Sequence, residues 1–162
     1  MLSKIDIRNY AIIESLSISF HAGFNIITGE TGAGKSILMG ALGLVLGDRA
    51  DSSVLFNRDE KCFVEALFLP QEIVALHQLL QSNDLDPEDQ LLLRREISVA
   101  GKSRCFINDT PVTLQVLRQV AANMVDLHRQ FDTLALGSDD FQRHVLDGLA
   151  GSATLLGNFK ER

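Results

Sequence analysis

Apolar and polar positions alternate from the start of the chain: Ile5 and Ile7 against Lys4, Asp6 and Arg8, then Leu16, Ile18 and Phe20 against Ser15, Ser17 and Ser19. A period of two marks a half-buried strand, so these runs predict two strands joined through Asn9 to Glu14. His21-Ala22-Gly23 reads as a turn, and the apolar run Phe24-Asn25-Ile26-Ile27-Thr28 predicts a third, buried strand. From Ile37 to Leu46 the pattern changes. Apolar residues cover most of the surface, with only Gly40 and Gly43 against helix propensity, which predicts a helix under a sheet, and Gly47 is its natural C-cap.

Cys62 to Leu69 alternates again, but both sets of side chains are largely apolar apart from Glu65, which predicts a strand covered on two faces. Pro70 to Leu80 predicts a short helix with Ile73, Leu76, Leu79 and Leu80 on one stripe. An acidic loop, Ser82 to Asp89, comes next. Leu91 to Ser98 and Ser103 to Asn108 flank Ala100-Gly101 and read as a hairpin, with a tight turn at Asn108-Asp109. Thr113 caps a predicted helix to Met124 that presents Leu117, Val120 and Ala121 inward, although Pro111 allows a slightly earlier start. Val125-Asp126-Leu127 is a short strand candidate, His128 to Thr133 a polar loop, Asp139 to Leu149 a helix, and Ala153 to Arg162 resumes helical character.

The chemistry concentrates between the third predicted strand and the first helix. Gly29, Glu30, Thr31, Gly32, Ala33, Gly34, Lys35 and Ser36 spell GETGAGKS, a full match to the phosphate-binding pattern G-x-x-x-x-G-K-[ST]. Strand, glycine loop and helix are the context in which that pattern is a physical site. Loop amides and the helix N-terminus would face a polyphosphate, Lys35 would reach its β and γ oxygens, and the Ser36 hydroxyl would sit on Mg²⁺. A bound nucleoside triphosphate is the expectation.

The 162 residues are enough for one domain with a real core, and 46% apolar with 22% charged residues is a globular composition. A formal net charge of -6 excludes a global positive field that would recruit nucleic acid, but not a local basic face. Such a face has one candidate, the hairpin with Arg94, Arg95, Lys102 and Arg104. It reads either as ordinary solvated surface charge or as a contact for nucleic-acid phosphates. Cys62 and Cys105 lie far apart in apolar strand-like stretches and read as buried free thiols of a reducing compartment. No apolar run approaches the roughly 18 residues of a membrane span, and Met1 leads directly into a strand, so no membrane partner and a cytoplasmic location are expected.

Hydrolysis needs more than a phosphate cradle. It takes a carboxylate after an apolar strand to hold Mg²⁺ and a group that positions the attacking water. Asp126 is the nearby candidate for the carboxylate, although Asn123 interrupts the apolar run before it. Gln130, in a loop just past a short strand, has an amide that either reaches Mg²⁺ and the water or is simply solvated. No apolar strand ends in Asp-Glu, so the catalytic carboxylates are expected in sequence other than this.

The opening IDIRNYAIIESLSISFHAGFNIITGETGAGKSILMGALGLVLGDRAD strongly resembles the N-terminus of the bacterial RecN family of DNA-repair proteins, relatives of the structural-maintenance-of-chromosomes (SMC) ATPases. GKSRCFINDTPVT and VDLHRQFDT resemble that family's basic hairpin and glutamine loop, and the similarity runs over essentially the whole chain. The resemblance implies an α/β P-loop NTPase fold of ABC/SMC head type, a mixed sheet with flanking helices, present as an incomplete N-terminal half-head. Residues 1–154 would be the head lobe and 155–162 the root of a coiled-coil arm. It further implies an ATPase of double-strand-break repair and recombination, binding ATP and Mg²⁺, in which binding engages two heads and is coupled to DNA. This chain by itself would be inactive or nearly so.

By the same resemblance Lys35 and Gln130 take catalytic roles, Ser36 and Gln130 touch Mg²⁺, and Arg8 and Asn9 lie near the phosphates. Arg49 occupies the arginine that follows the helix. Partners implied are the protein's own C-terminal half-head, a second copy through heads or coiled coil, and DNA in the nucleoid. One departure stands out: the family usually has His-Gly-Gln where this chain has His128-Arg129-Gln130, which reshapes the loop if glycine served a positive φ there. A RecF-like or chromosome-organising SMC ATPase, and a nucleotide-binding structural module without hydrolysis, are the competing readings.

Overall fold

The computed structural model describes residues 1–29, 33–50, 52–70 and 74–125. The chain divides into Met1–Val125 and Asp126–Arg162, and the described strands and helices all belong to the first unit. Its frame is a six-stranded sheet in the order β2-β1-β3-β4-β5-β6, with all of these pairings antiparallel. The strands are β1 (Leu2–Tyr10), β2 (Ile13–Ser19), β3 (Cys62–Phe68), β4 (Leu91–Ile97), β5 (Ser103–Ile107) and β6 (Thr110–Val112). Among the described residues three α-helices accompany it, α1 (Ala33–Val45), α2 (Val74–Gln81) and α3 (Leu114–Ala122), with a short 3-10 turn at Ser52–Val54.

The alternation that predicted the strands also decides which face is covered. Ile5 and Ile7 of β1, Cys62, Val64, Ala66 and Phe68 of β3, Leu91, Leu93 and Ile97 of β4, and Cys105 and Ile107 of β5 form one buried face. Onto it α1 lays Leu38, Ala41, Leu44 and Val45, packing chiefly against β3, while α3 brings Leu117, Val120 and Ala121 over β5. The second face of β3, with Phe63, Glu65 and Leu67, is half-buried, so the two-sided cover expected there is partial. In α2, Leu76 and Leu80 are fully buried, and Leu85 of the acidic loop is drawn into the same core.

Local chemistry sets the connections. β1 and β2 are joined more tightly than the alternation suggested, with Asn9 and Ala11 at φ 55° and 52° turning the chain at once. Asn108 and Asp109 take φ 44° and 63°, the two left-handed positions of a type I′ hairpin turn. That turn leads into β6, a three-residue edge strand not anticipated from the sequence because Pro111 sits in its middle. Thr113 caps α3, its hydroxyl accepting the Val116 amide at 3.3 Å, so the helix starts after Thr113 rather than near Pro111.

One expectation fails. Phe24 to Thr28 is not a strand; it runs without a ladder partner, and Phe24 is 90% and Ile26 71% exposed. An apolar run signals burial but not against what, and no described strand pairs with this segment. Among those residues, no helix is long and apolar enough to cross a membrane.

Candidate nucleotide-binding site

The glycine motif sits where segment 24–29 meets α1. Glu30, Thr31 and Gly32 lie outside the described residues; Gly29, Gly34, Lys35 and Ser36 are described, and all four are exposed. α1 begins at Ala33, so Gly34, Lys35 and Ser36 occupy its first turn, where backbone N–H groups have no intrahelical acceptor. No acidic side chain stands in that turn to offset the dipole. Lys35 Nζ donates to the Gly29 carbonyl at 2.5 Å, folding the cation back across the loop. Among the described residues nothing lies within 4 Å of where a Cβ on Gly34 or Gly29 would be. Free amides, an ammonium and a hydroxyl within one turn form a donor set for phosphate oxygens.

The other end of α1 is fixed firmly. Asp48 N–H donates to the Gly43 carbonyl at 2.9 Å and Gly47 N–H to the Leu44 carbonyl at 3.2 Å, the paired bonds of a Schellman cap. Gly47 has φ 113°, and Arg118 of α3 lies against it, its Nε donating to the Gly47 carbonyl at 2.7 Å. The cap was legible in the sequence; the arginine clamp from α3, a contact across the chain, carried no local signal. Near the middle of α1, the Tyr10 hydroxyl comes within 2.7 Å of where a Cβ on Gly40 would stand, which accounts for a glycine inside this helix.

Arg8 and Asn9 lie at the end of β1, beside a depression of about 430 Å³ that they share with Glu14, Ser15, Glu60, Lys61 and Phe63. Arg8 is exposed, its guanidinium 5.4 Å from the Phe63 ring centroid. Asn9 is 5% exposed and both of its amide hydrogens are committed, to the Asn57 carbonyl at 2.9 Å and the Glu60 carbonyl at 2.8 Å, while its Oδ1 accepts the Asn57 amide. In this structure Asn9 therefore holds the 57–60 turn. Burial pulls the neighbouring Asp6 carboxyl up, but hydrogen bonds from Lys4 and Ser17 and the charges of Lys4 and Arg8 outweigh it and hold the group below its ordinary value.

Asp126 and Gln130, the candidates for holding Mg²⁺ and water, lie outside the described residues, as does Arg129, the departure in the glutamine loop. Among the described residues, no group of three or more His, Cys, Asp or Glu is placed to hold a metal.

The three arginines and the lysine of the hairpin separate, which corrects the expectation of one basic face. β4 alternates sides, so Arg94 and Arg95 must point oppositely. Arg94 stacks 4.4 Å over Phe106 and is ringed by Asp109 at 2.7 Å and by Glu65 and Glu96 at 3.5 Å each, which neutralises it. Arg95 points into the covered face and is 2% exposed. Lys102 and Arg104 remain exposed. The parity that buries Arg95, in step with Leu93 and Ile97, was present in the sequence. Burial pushes the Cys62 thiol up to about 12 and raises Cys105 as well, the latter against the nearby charges of Arg95 and Arg118, so both sulfurs stay protonated.

A protein-family profile described as "AAA domain" matches residues 4–97, the stretch that holds the glycine loop, α1 and the sheet through β4. The chain belongs to this AAA domain family. It is 37% identical over 153 residues to DNA repair protein RecN of Bacillus subtilis, across 94% of this chain and 27% of that protein. It is 38% identical over 156 residues to DNA repair protein RecN of Vibrio cholerae, across 96% of this chain and 28% of that protein. The chain thus spans a little over a quarter of the length of the curated relatives it matches. Among solved structures, the Smc head domain with a coiled coil and joint from Pyrococcus yayanosii superposes with a TM-score of 0.67 at 18% identity, over 99% of this chain and 34% of that one. These similarities establish an SMC-head-type P-loop fold, a sheet with flanking helices.

Proposed function

We propose that this chain is the nucleotide-binding part of an SMC-like ATPase that acts in DNA double-strand-break repair and recombination. Residues 1–154 belong to the head lobe, and 155–162 begin a coiled-coil arm. The observation that carries the reading is the exposed Lys35–Ser36 pair on the first turn of α1, in a chain whose relatives are RecN proteins. Lys35 leaves the Gly29 carbonyl for the β and γ oxygens of ATP, the amides of residues 32–36 cradle the phosphates, and Ser36 ligates Mg²⁺. Gln130 supplies the amide that orients water and touches Mg²⁺, and Arg8 approaches the nucleotide from β1.

The remaining parts of the reaction belong to the rest of the protein: a C-terminal half-head carrying the carboxylates, and a second head that closes over the bound ATP. A solved SMC structure described as "Structural biochemistry of ATP-driven dimerization and DNA stimulated activation of SMC ATPases" has a TM-score of 0.63 to this chain at 20% identity, covering 91% of this chain and 98% of that one. Its description makes ATP-driven dimerisation the process to look for here. DNA contact falls to the exposed Lys102 and Arg104 rather than to Arg94.

The test is Mg-ATP binding by the chain and its Lys35→Ala variant, then turnover in a longer version that continues past Arg162. Loss of the lysine should weaken ATP binding at least about tenfold, or roughly 1.4 kcal/mol, and abolish turnover in the longer protein. Equal binding by both forms sinks the assignment.

A further inference from the structure

Tyr10 closes β1 on a backbone that is held from both sides. Asn9 at φ 55° and Ala11 at φ 52° place a left-handed residue before and after it, and such a corner persists only where its surroundings over-determine it. The segment that follows α1 does this. Ala11 N–H donates to the Val54 carbonyl at 2.7 Å, Tyr10 pairs with Leu55 in an isolated antiparallel bridge, and Asn9 ties the corner to the Asn57 and Glu60 carbonyls. The Tyr10 ring, with only two side-chain torsions, projects from this fixed base and packs half-buried against the core.

The ring ends on α1. Its hydroxyl lies 2.7 Å, and its Cζ 3.7 Å, from where a Cβ on Gly40 would stand, so its tip faces bare helix backbone about one turn beyond Ser36. The Arg118 clamp at Gly47 fixes the far end of the same helix. Two contacts at different points along a stiff rod set its tilt as well as its place, and the glycine-loop end, where Gly34, Lys35 and Ser36 are exposed, follows. A Cβ added at Gly40 shows the size of this lever. Ordinary contact begins near 3.4 Å, so a helix that yields to the hydroxyl moves by about 0.7 Å at Gly40. Lys35 stands farther from a pivot at Gly47 than Gly40 does, by a ratio of about 12 to 7, and so moves about 1.2 Å.

We propose that Tyr10 is a positioning residue of the glycine loop: it sets the tilt of α1 and thereby the placement of Lys35 and Ser36 toward a bound triphosphate. It acts through the helix, from a turn beyond Ser36. The role rests on the proposed ATP site, whereas the contact with Gly40 stands without it. The strained corner and the glycine in the middle of α1 then serve one purpose. The corner fixes the ring, and the missing side chain lets the ring reach the helix backbone. Misplacing a bound group by about 1 Å can cost up to about a hundredfold in rate, so a lever of this size bears on the site.

The experiment uses the full chain under conditions where every variant is folded. Calorimetry reads Mg-ATP affinity, hydrogen exchange without nucleotide reads the amides of residues 34–45, and urea unfolding reads global stability. Gly40→Ala should weaken Mg-ATP binding at least about tenfold and speed exchange in the first two turns of α1. Adding Tyr10→Phe removes the hydroxyl and leaves Cζ, at 3.7 Å, as the nearest atom to the new Cβ. The double variant should therefore return to within about threefold of the parent affinity and regain its amide protection. Should Gly40→Ala fail to fold, Tyr10→Ala decides: it should weaken binding about tenfold, while Tyr10→Phe, which keeps the ring, stays within about threefold. Unchanged affinity in Gly40→Ala shows that the tyrosine yields rather than the helix and overturns the proposal. A double variant no better than Gly40→Ala does the same, as does Tyr10→Ala that loses stability at unaltered affinity, which is packing alone. Absence of binding by the parent chain, judged against Lys35→Ala, overturns the ATP reading and the role of Tyr10 with it. Binding that depends on Lys35 but on neither Gly40 nor Tyr10 overturns only this proposal.

Discussion

Replacing Gly47 by alanine tests how the phosphate-loop helix is anchored. Two costs are built in. The backbone stands at φ 113°, where an L side chain is strained by about 1–3 kcal/mol. The new Cβ would also stand 2.4 Å from Arg118 Cγ, a distance no pair of carbons tolerates, so Arg118 must move and forfeit its 2.7 Å bond to the Gly47 carbonyl. A charge-assisted bond of that kind contributes about 1.5–3 kcal/mol, which brings the expected loss to about 2.5–6 kcal/mol. Urea unfolding monitored by circular dichroism measures it, with an unchanged m-value expected because the surface exposed on unfolding is the same. Arg118→Ala alone should cost only the bond. Since Gly47→Ala has already broken that bond, the double variant should be no less stable than Gly47→Ala, a coupling of about 1.5–3 kcal/mol. A loss below about 1 kcal/mol for Gly47→Ala, or strict additivity of the pair, refutes the reasoning.

Leu117→Ala, which empties a fully buried position between α3 and the sheet, should cost about 2–5 kcal/mol in the same assay, against under about 0.5 kcal/mol for exposed Gln119→Ala. Thr113→Ala removes the cap on Val116 and should cost about 1 kcal/mol, while Thr113→Ser should be nearly silent. Cys62 supplies a pH dependence: its thiol, raised from 9.0 to about 12 when folded, keeps a proton that the unfolded chain gives up. Stability should therefore be flat below pH 8 and fall above pH 9 by about 1.4 kcal/mol per pH unit for this thiol, with Cys105, also raised, adding to the slope. Cys62→Ala should reduce that slope, and an alkaline limb identical with and without Cys62 counts against the assignment.

What could be read in the sequence was what local chemistry determines. The Thr113 cap, the Gly47 cap, the Gly101 hairpin and the inward stripe Leu117, Val120 and Ala121 each arise from residues a few positions apart, and each is present. Misreadings arose where the deciding partner was remote. Phe24 to Thr28 has the composition of a buried strand, but no described strand pairs with it, so hydrophobicity without a neighbour did not become a ladder. Arg94 and Arg95 looked like one patch because they share a charge. The pleat separates them, giving one to a ring of carboxylates and the other to the core. The bonds of the Asn9 amide to a turn about fifty residues away are likewise a contact no local pattern carries.

The strand order β2-β1-β3 also bears on how the molecule assembles in time. β3 to β6 and α3 form a meander whose neighbours are close in sequence, so their pairing costs little loop-closure entropy. β1, by contrast, pairs Leu2 with Phe68, and the connection it must enclose is the one that holds the glycine loop and α1. The central ladder of the sheet therefore closes only after the slowest search in the unit, and α1 acquires its seat on β3 in that same step. The seat of α1 on β3 thus depends on the same long-range ladder that joins β1 to β3, so a change that weakens the β1–β3 pairing also loosens the helix that carries the glycine motif.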